Sequence, residues 1–118
     1  MNYKFKNTFS FIEREKESKR IMTLYPDKIP VICERSELAD SDCPIIDKKK
    51  YLVPRGLTVG QFIHIIRSRM HLPYEKALYL FIKGTIPSSS NMMETIYDCY
   101  SDEDGFLYIT YSFENTFG

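Results

Sequence analysis

The spacing of apolar and polar positions predicts three helices along this chain of 118 residues. Ser10, with a glutamate three residues later, forms a capping box, and the sparse apolar side chains after it predict a surface helix over residues 11–24. Thr58, with a glutamine three residues later, opens a denser pattern at helical spacing, which predicts a core helix over residues 58–70. Ser90 is the expected cap of a third helix. The apolar positions of that helix are Met93, Ile96, Tyr97 and Tyr100.

Four short apolar or aromatic runs predict strands. Residues 29–34 contain Pro30, which disfavours a central position in a sheet or marks the start of its strand. Residues 49–53 form a second strand that ends before a proline. Residues 77–82 are uniformly apolar and predict a strand buried on both faces. Residues 106–113 form a final strand rich in aromatics, after a glycine that ends the preceding helix.

The predicted order of elements is α-β-β-α-β-α-β. Two strands, a crossover helix and two further strands give the order of the β-grasp fold, an α+β architecture whose first and last strands lie parallel in the middle of the sheet. The opening helix is an addition to that fold. Three aromatics, Tyr3, Phe5 and Phe9, predict a short turn or helix before it.

Composition and charge indicate one packed domain with no general affinity for nucleic acid. Hydrophobic residues make up 43% of the chain and aromatics 14%, which favours a globule over disorder. The formal net charge is zero, so binding through phosphate neutralisation is not favoured. Residues 1–59 carry 12 Lys and Arg against 9 Asp and Glu, whereas residues 60–118 carry 4 against 7. The basic half favours an acidic partner, or the asymmetry is a simple dipole of the domain.

Cysteine usage and the chain ends indicate a reducing, cytoplasmic location. Cys33, Cys43 and Cys99 form no C-x-x-C pair, and no secretory segment follows the first residues. Apolar runs are too short to cross a bilayer, and Met1 is not followed by the glycine needed for myristoylation. We therefore expect any attachment to a membrane to come by another route.

The polar clusters offer little support for catalysis. The acidic run over residues 102–104 lacks the spacing of a calcium loop and is expected to be a solvated helix end. His64 and His71 lie seven residues apart, whereas metal pairs on a helix prefer a spacing of four. No nucleophile–base arrangement and no glycine-rich phosphate loop are evident in the sequence. We therefore expect no enzymatic activity, no metal and no cofactor.

Two features suggest binding and conjugation. Lys48, Lys49 and Lys50 lead into the strand over residues 49–53, where they either guard an edge strand or meet acidic residues beside a docked peptide. Gly118 ends a polar tail. Because glycine has no Cβ, its carboxylate can pass through a narrow channel that would exclude a branched residue, as the acyl donor of a ubiquitin-like modifier must. The alternative is that the sequence ends at this glycine at an arbitrary point.

Several motifs in one order resemble the autophagy ubiquitin-like modifiers, and the GABARAP-like branch most closely. The motifs are Tyr25-Pro26-Asp27-Lys28-Ile29-Pro30-Val31, Asp47-Lys48-Lys49-Lys50-Tyr51-Leu52-Val53-Pro54, Leu57-Thr58-Val59-Gly60-Gln61-Phe62, Glu103-Asp104-Gly105-Phe106-Leu107-Tyr108-Ile109 and the final aromatic and glycine. The resemblance covers essentially the whole chain. It implies a ubiquitin-like β-grasp with two N-terminal helices, divided into a helical extension (1–26), a core (27–112) and a flexible tail (113–118).

The resemblance also implies a conjugation pathway. A cysteine protease trims the precursor, an E1-like activating enzyme forms a thioester with the glycine, and an E2-like conjugating enzyme transfers Gly118 to phosphatidylethanolamine. The lipidated protein lies on the autophagosomal or a related vesicle membrane, where it docks receptors that carry an aromatic-x-x-aliphatic motif.

By position, the resemblance implies two pockets and a charged rim. The aromatic pocket corresponds to Glu17, Ile21, Pro30, Ile32, Lys50, Leu52 and Phe106. The aliphatic pocket corresponds to Tyr51, Val53, Pro54, Leu57, Phe62 and Ile65. Contacts that flank the peptide correspond to Lys28, Lys48, Lys49 and Arg69. Core packing is the competing interpretation for Phe62 and Phe106.

Departures from the family pattern leave partner preference open. The loop that contains Asp40, Asp42 and Cys43 looks slightly longer, and Arg55-Gly56 adds charge beside the second pocket. The alternative function is a ubiquitin-like adaptor that is not conjugated and binds trafficking or cytoskeletal partners through its edge strand and basic half.

Overall fold

The computed structural model describes residues 3–39, 42–72 and 76–113, which form one four-stranded sheet and four helices. The helices are α1 (Lys4–Thr8), α2 (Phe11–Leu24), α3 (Val59–Met70) and α4 (Met93–Tyr100). The strands are β1 (Lys28–Arg35), β2 (Lys50–Pro54), β3 (Tyr79–Phe81) and β4 (Leu107–Ser112). No helix in the described ranges is long and apolar enough to cross a membrane.

The sheet has the order β2-β1-β4-β3, with the first and last strands at its centre. β1 runs parallel to β4, and Val31 lies opposite Leu107. β2 pairs antiparallel with β1, and β3 pairs antiparallel with β4. This topology confirms the β-grasp prediction and leaves β2 and β3 at the edges of the sheet.

Both predicted capping boxes form, so α2 and α3 begin where the sequence indicated. The prediction that Ser90 caps the third helix is wrong, because the N-cap of α4 is Met92 and it makes no side-chain cap. A tertiary contact fixes this helix start instead, since the Met93 amide donates to the Leu57 carbonyl over 2.7 Å. The predicted strand over 77–82 is shorter, at Tyr79–Phe81.

Pro30 lies inside β1, a central strand, contrary to the position expected for a strand proline. Its missing N–H costs no bond to β2, because the residues that bond β2 alternate with it. The Cys33 amide, for example, donates to the Lys49 carbonyl over 2.8 Å. The register with β4 begins one residue later, at Val31. Pro30 therefore precedes the first residue of β1 that pairs with β4.

Strand alternation divides the core into two clusters on opposite faces of the sheet. The larger lies on the face covered by α3 and includes Val31, Phe62 and Ile109. The smaller lies on the face covered by the N-terminal helices. It consists of Ile21, Ile32, Phe106 and Tyr108, with Tyr3 and Phe5 packed against it.

The acidic run over residues 102–104 is not the solvated helix end that we expected. Asp104 is fully buried, and its carboxylate accepts from Arg14 Nε over 2.8 Å, from the Tyr108 hydroxyl over 2.5 Å and from the Phe106 amide over 2.9 Å. Glu103 alone in this run is exposed. A buried carboxylate needs such donors, and they include a guanidinium from α2. The ion pair between Arg14 and Asp104 therefore joins α2 to the turn before β4.

Candidate functional site

β2 presents a strand edge whose two faces differ. Its side chains alternate, with Tyr51 and Val53 buried on the α3 face and Leu52 and Pro54 exposed on the other. Among the described strands, only β1 pairs with β2. An extended segment added at this edge would therefore place alternate side chains toward α2 and toward α3.

The structure brings together the seven residues assigned to the aromatic pocket. Lys50 and Leu52 lie opposite Ile32 and Pro30 in the β1–β2 register. Glu17 of α2 forms an ion pair with Lys50 across this surface. Ile21, Ile32 and Phe106 form the buried floor. Phe106 is fully buried, so it contributes through the floor and not through an open wall.

Glu17 is held as a carboxylate at the mouth of this surface. It accepts from Arg20 Nε over 2.7 Å and from Arg20 Nη2 over 3.0 Å, and it also pairs with Lys50. The bonds from Arg20, followed by those from Lys50, lower the pKa of the Glu17 carboxyl to about 2 against an opposing effect of burial. The rim of the aromatic pocket is therefore a charged network at neutral pH.

A cavity of about 280 Å³ lies beside the Glu17–Lys50 pair. Its lining residues are Phe5, Phe9, Glu13, Arg14, Glu17 and Lys50. The sequence analysis missed four of them, because no pattern in the neighbouring sequence predicted that α1 lies beside β2. The one usable signal was the spacing of Phe5 and Phe9, which puts their rings 5.0 Å apart on one side of the chain.

The residues assigned to the aliphatic pocket divide between core and surface. Tyr51, Val53 and Phe62 belong to the buried core, and the Tyr51 and Phe62 rings meet edge to face at 5.7 Å. Leu57 is half-buried, whereas Ile65 keeps 38% of its surface exposed. Pro54 is exposed as well, but strand alternation places it on the face of Leu52. Ile65 and Leu57 therefore provide the accessible apolar surface beside α3.

The flanking cations occupy different positions around this edge. Lys48 is exposed, with its Nζ 4.9 Å from the centre of the Tyr51 ring. Lys49 and Lys28 are half-buried. The guanidinium of Arg69 pairs with Asp47 over 3.0 Å, and this bond lowers the pKa of the Asp47 carboxyl. Gly118 lies outside the described residues.

A β-grasp sheet with two helices before its first strand defines a ubiquitin-like protein with an N-terminal helical extension. The family model for autophagy protein Atg8, ubiquitin like, matches residues 13–118 of the chain. The chain belongs to the Atg8 family.

Relatives and solved structures agree with this assignment. The chain is 56% identical over 118 residues to autophagy-related protein 8 of Schizosaccharomyces pombe, covering 100% of the chain and 96% of the relative. It is 56% identical over 117 residues to autophagy-related protein 8c of Arabidopsis thaliana, covering 99% and 97%. These comparisons establish the family and do not resolve its branches, so the GABARAP-like assignment stays a prediction.

Two solved structures share the fold. The crystal structure of Trypanosoma brucei ATG8 has a TM-score of 0.89 and 40% identity, covering 95% of each chain. Plasmodium falciparum Atg8 in complex with a Plasmodium falciparum Atg3 peptide has a TM-score of 0.86 and 37% identity, covering 96% of this chain and 98% of that one.

Proposed function

We propose that this protein is an autophagy modifier that is conjugated through Gly118 to phosphatidylethanolamine and docks aromatic-x-x-aliphatic motifs along β2. Gly118 lies within the residues that the family model matches, which supports a role for this glycine that the family shares. The chain is then the acyl group transferred by other enzymes and performs no catalysis itself. We assign residues 1–26 to the helical extension, 27–112 to the core and 113–118 to the tail.

The observation that carries the docking proposal is the two-faced edge of β2. Two side chains three positions apart on a strand point to opposite faces. An aromatic residue that enters between Leu52 and α2 is therefore followed, three positions later, by a residue that faces α3. Exposed Ile65 and half-buried Leu57 meet it there. The spacing of the motif matches the spacing of the two apolar surfaces, and backbone bonds to the free edge add affinity.

The proposed partners follow from this assignment. The peptide complex of the Plasmodium relative supports binding to an E2-like conjugating enzyme. An E1-like activating enzyme, a cysteine protease, receptors with the docking motif and a membrane containing phosphatidylethanolamine complete the set. We propose a cytoplasmic pool and a pool on autophagosomal or related vesicles.

Titration of an aromatic-x-x-aliphatic peptide tests the docking site. Leu52→Ala and Ile65→Ala should each weaken binding at least about tenfold, which corresponds to about 1.4 kcal/mol. Ile86→Ala is the matched control, because Ile86 is also exposed, at 46%, but lies after β3 at the far edge of the sheet. Unchanged dissociation constants for Leu52→Ala and Ile65→Ala in folded protein would place docking elsewhere.

Reconstituted conjugation tests the role of the tail. Gly118→Ala should prevent thioester formation with the activating enzyme and leave the fold intact. Cys99→Ser is the control, because Cys99 is the exposed thiol of the chain whereas Cys33 and Cys43 are buried. Conjugation of Gly118→Ala at the unaltered rate would contradict the role of Gly118 as acyl donor. If the unaltered chain is not conjugated at all, the alternative of an adaptor that is not conjugated is supported.

A further inference from the structure

A second cavity, of about 230 Å³, lies where β1 ends and the loop toward β2 begins. We call it the loop cavity. Its lining includes Ser36, Ile45, Ile46 and Tyr111. It shares no residue with the aromatic or the aliphatic pocket of the docking edge, so it is a separate feature of the surface.

The loop cavity has an exposed apolar side chain at its rim. Ile45 keeps 59% of its surface exposed, whereas Ile46 keeps 6% and both Cys33 and Tyr111 are fully buried. A cavity of about 150 Å³ is large enough to hold a benzene ring. The loop cavity therefore has room for one aromatic side chain, and Ile45 offers that ring an apolar surface.

The charges of the lining favour a carboxylate beside that ring. Three cations, Lys4, Arg35 and Lys49, face two anions, Glu34 and Glu37. Arg35 donates to a loop carbonyl over 2.8 Å, and Glu34 accepts from two amides at the start of α1. Among the residues that the structure describes, neither Lys4 nor Lys49 forms an ion pair. The cavity is therefore suited to an aromatic group that lies close to a carboxylate.

The chain carries a group of this kind in residues 114–118. Phe117 supplies the ring and Glu114 a carboxylate, and Gly118 supplies a second carboxylate in the form that conjugation requires. Because this segment is joined to the domain, its effective concentration at a nearby site is of millimolar order. A site of modest affinity is therefore occupied without a second molecule.

The end of β4 lies within reach of the loop cavity. The Ser36 amide donates to the Tyr111 carbonyl over 2.8 Å, and both residues line the cavity. Phe113, the last described residue, follows Tyr111 by two strand positions, or about 6.6 Å. The four residues from Phe113 to Phe117 span up to about 13–14 Å. They are therefore long enough to turn back onto the cavity.

We propose that the loop cavity binds the chain's own tail, with the Phe117 ring against Ile45 and the tail carboxylates beside the two lysines. The docked tail holds Gly118 against the domain, so an activating enzyme has to compete with the cavity for it. This consequence for conjugation rests on the proposed function, whereas the docked tail itself goes beyond it.

Methyl NMR of the full chain tests the docked tail. We expect a cross-peak between the Phe117 ring protons and the Ile45 δ1 methyl group. Phe117→Ala should also move the Ile45 methyl signal, because the ring no longer lies over it. Phe11→Ala is the control, since Phe11 is exposed on α2 and does not line the cavity. A missing cross-peak, or an Ile45 signal that is unmoved by Phe117→Ala, would overturn the proposal.

Digestion of the tail by a carboxypeptidase gives a second readout. Ile45→Asn should speed the release of the tail residues at least about threefold, as expected for a tail that is docked about two-thirds of the time. Leu38→Asn is the matched control, because Leu38 is 58% exposed in the same loop and does not line the cavity. Equal release rates for folded Ile45→Asn and the unaltered chain would refute the docked tail.

Dilution and conjugation assays distinguish the remaining outcomes. If the cross-peak weakens on dilution relative to the other signals, the tail of a second copy occupies the cavity and docking within one chain is wrong. If Gly118 is conjugated in a reconstituted system while the Ile45 signal ignores Phe117→Ala, only the docked tail is wrong. If the Ile45 signal responds but Gly118 is not conjugated, the docked tail stands and the proposed function is wrong.

Discussion

Replacing Asp104 by alanine tests the buried charge pair that joins α2 to the core. The substitution removes the carboxylate that accepts from Arg14, Tyr108 and the Phe106 amide. Arg14 keeps its bond to the Phe9 carbonyl, but its guanidinium loses its counter-ion at a site where only 10% of the side-chain surface is exposed. The expected result is a less stable protein in which both N-terminal helices loosen.

The size of the stability loss follows from removing one partner of a buried ion pair and leaving the other. Such a change costs about 3–5 kcal/mol because a charge is left without compensation in the interior. The Tyr108 hydroxyl and the Phe106 amide lose acceptors as well, at about 1–3 kcal/mol for each buried group, and these losses are not additive. Water reaching Arg14 offsets part of the loss, so we expect about 3 kcal/mol. The free energy of unfolding of a natural domain is about 5–15 kcal/mol in total.

Urea unfolding followed by circular dichroism measures this loss. With a slope of about 1–3 kcal/mol per molar urea, the midpoint should fall by about 1–3 M. Glu103→Ala is the matched control, because the neighbouring carboxylate is exposed and its removal should change stability by less than about 0.5 kcal/mol. Equal midpoints for Asp104→Ala and Glu103→Ala would refute the inference that Asp104 anchors α2.

Three further predictions address the turn, the rim and the lysines. Gly105→Ala should destabilise the fold by about 1–3 kcal/mol in the same urea assay, because Gly105 has a φ of +93° and an added Cβ would lie 2.9 Å from the Ser18 Cβ. An unchanged urea midpoint would contradict this prediction. The pKa of the Glu17 carboxyl, measured by carbon NMR, should lie far below its ordinary value near 4.3. The contribution of this carboxylate to stability is therefore complete above pH 4.3 and is lost as the pH falls toward about 2. A measured pKa near 4.3 would contradict this prediction. Alanine at both Lys48 and Lys49 should lower the on-rate of an acidic-flanked peptide in stopped flow and reduce its salt dependence, and an unchanged salt slope would show that these lysines only guard the edge.

Local signals in the sequence determined the parts of the fold that were predicted correctly. The capping boxes at Ser10 and Thr58 satisfy backbone amides within three residues, so the starts of α2 and α3 did not depend on distant partners. In β2 the separation of Tyr51 and Val53 from Leu52 came from the family resemblance, and the strand alternation of the structure agrees with it. The resemblance placed Pro54 with Tyr51 and Val53, whereas alternation puts it on the face of Leu52.

Contacts between distant segments explain what the sequence could not predict. Asp104 is buried because Arg14, 90 residues earlier, supplies its counter-charge, and no local pattern distinguishes it from exposed Glu103. Met92 begins α4 through the bond between Met93 and Leu57 and not through a cap of its own. The position of α1, whose Phe5 contributes to the cavity lining, depends in the same way on Glu34, which accepts from the Lys4 amide 30 residues earlier.

Mass spectrometry of the protein isolated from its native cells shows directly whether Gly118 is conjugated. We expect a fraction of molecules that carry phosphatidylethanolamine in amide linkage to the carboxyl group of Gly118. That fraction should be found in the membrane pellet and be absent from a Gly118→Ala strain. Membrane-bound protein whose Gly118 carboxyl is entirely free would contradict conjugation through this glycine.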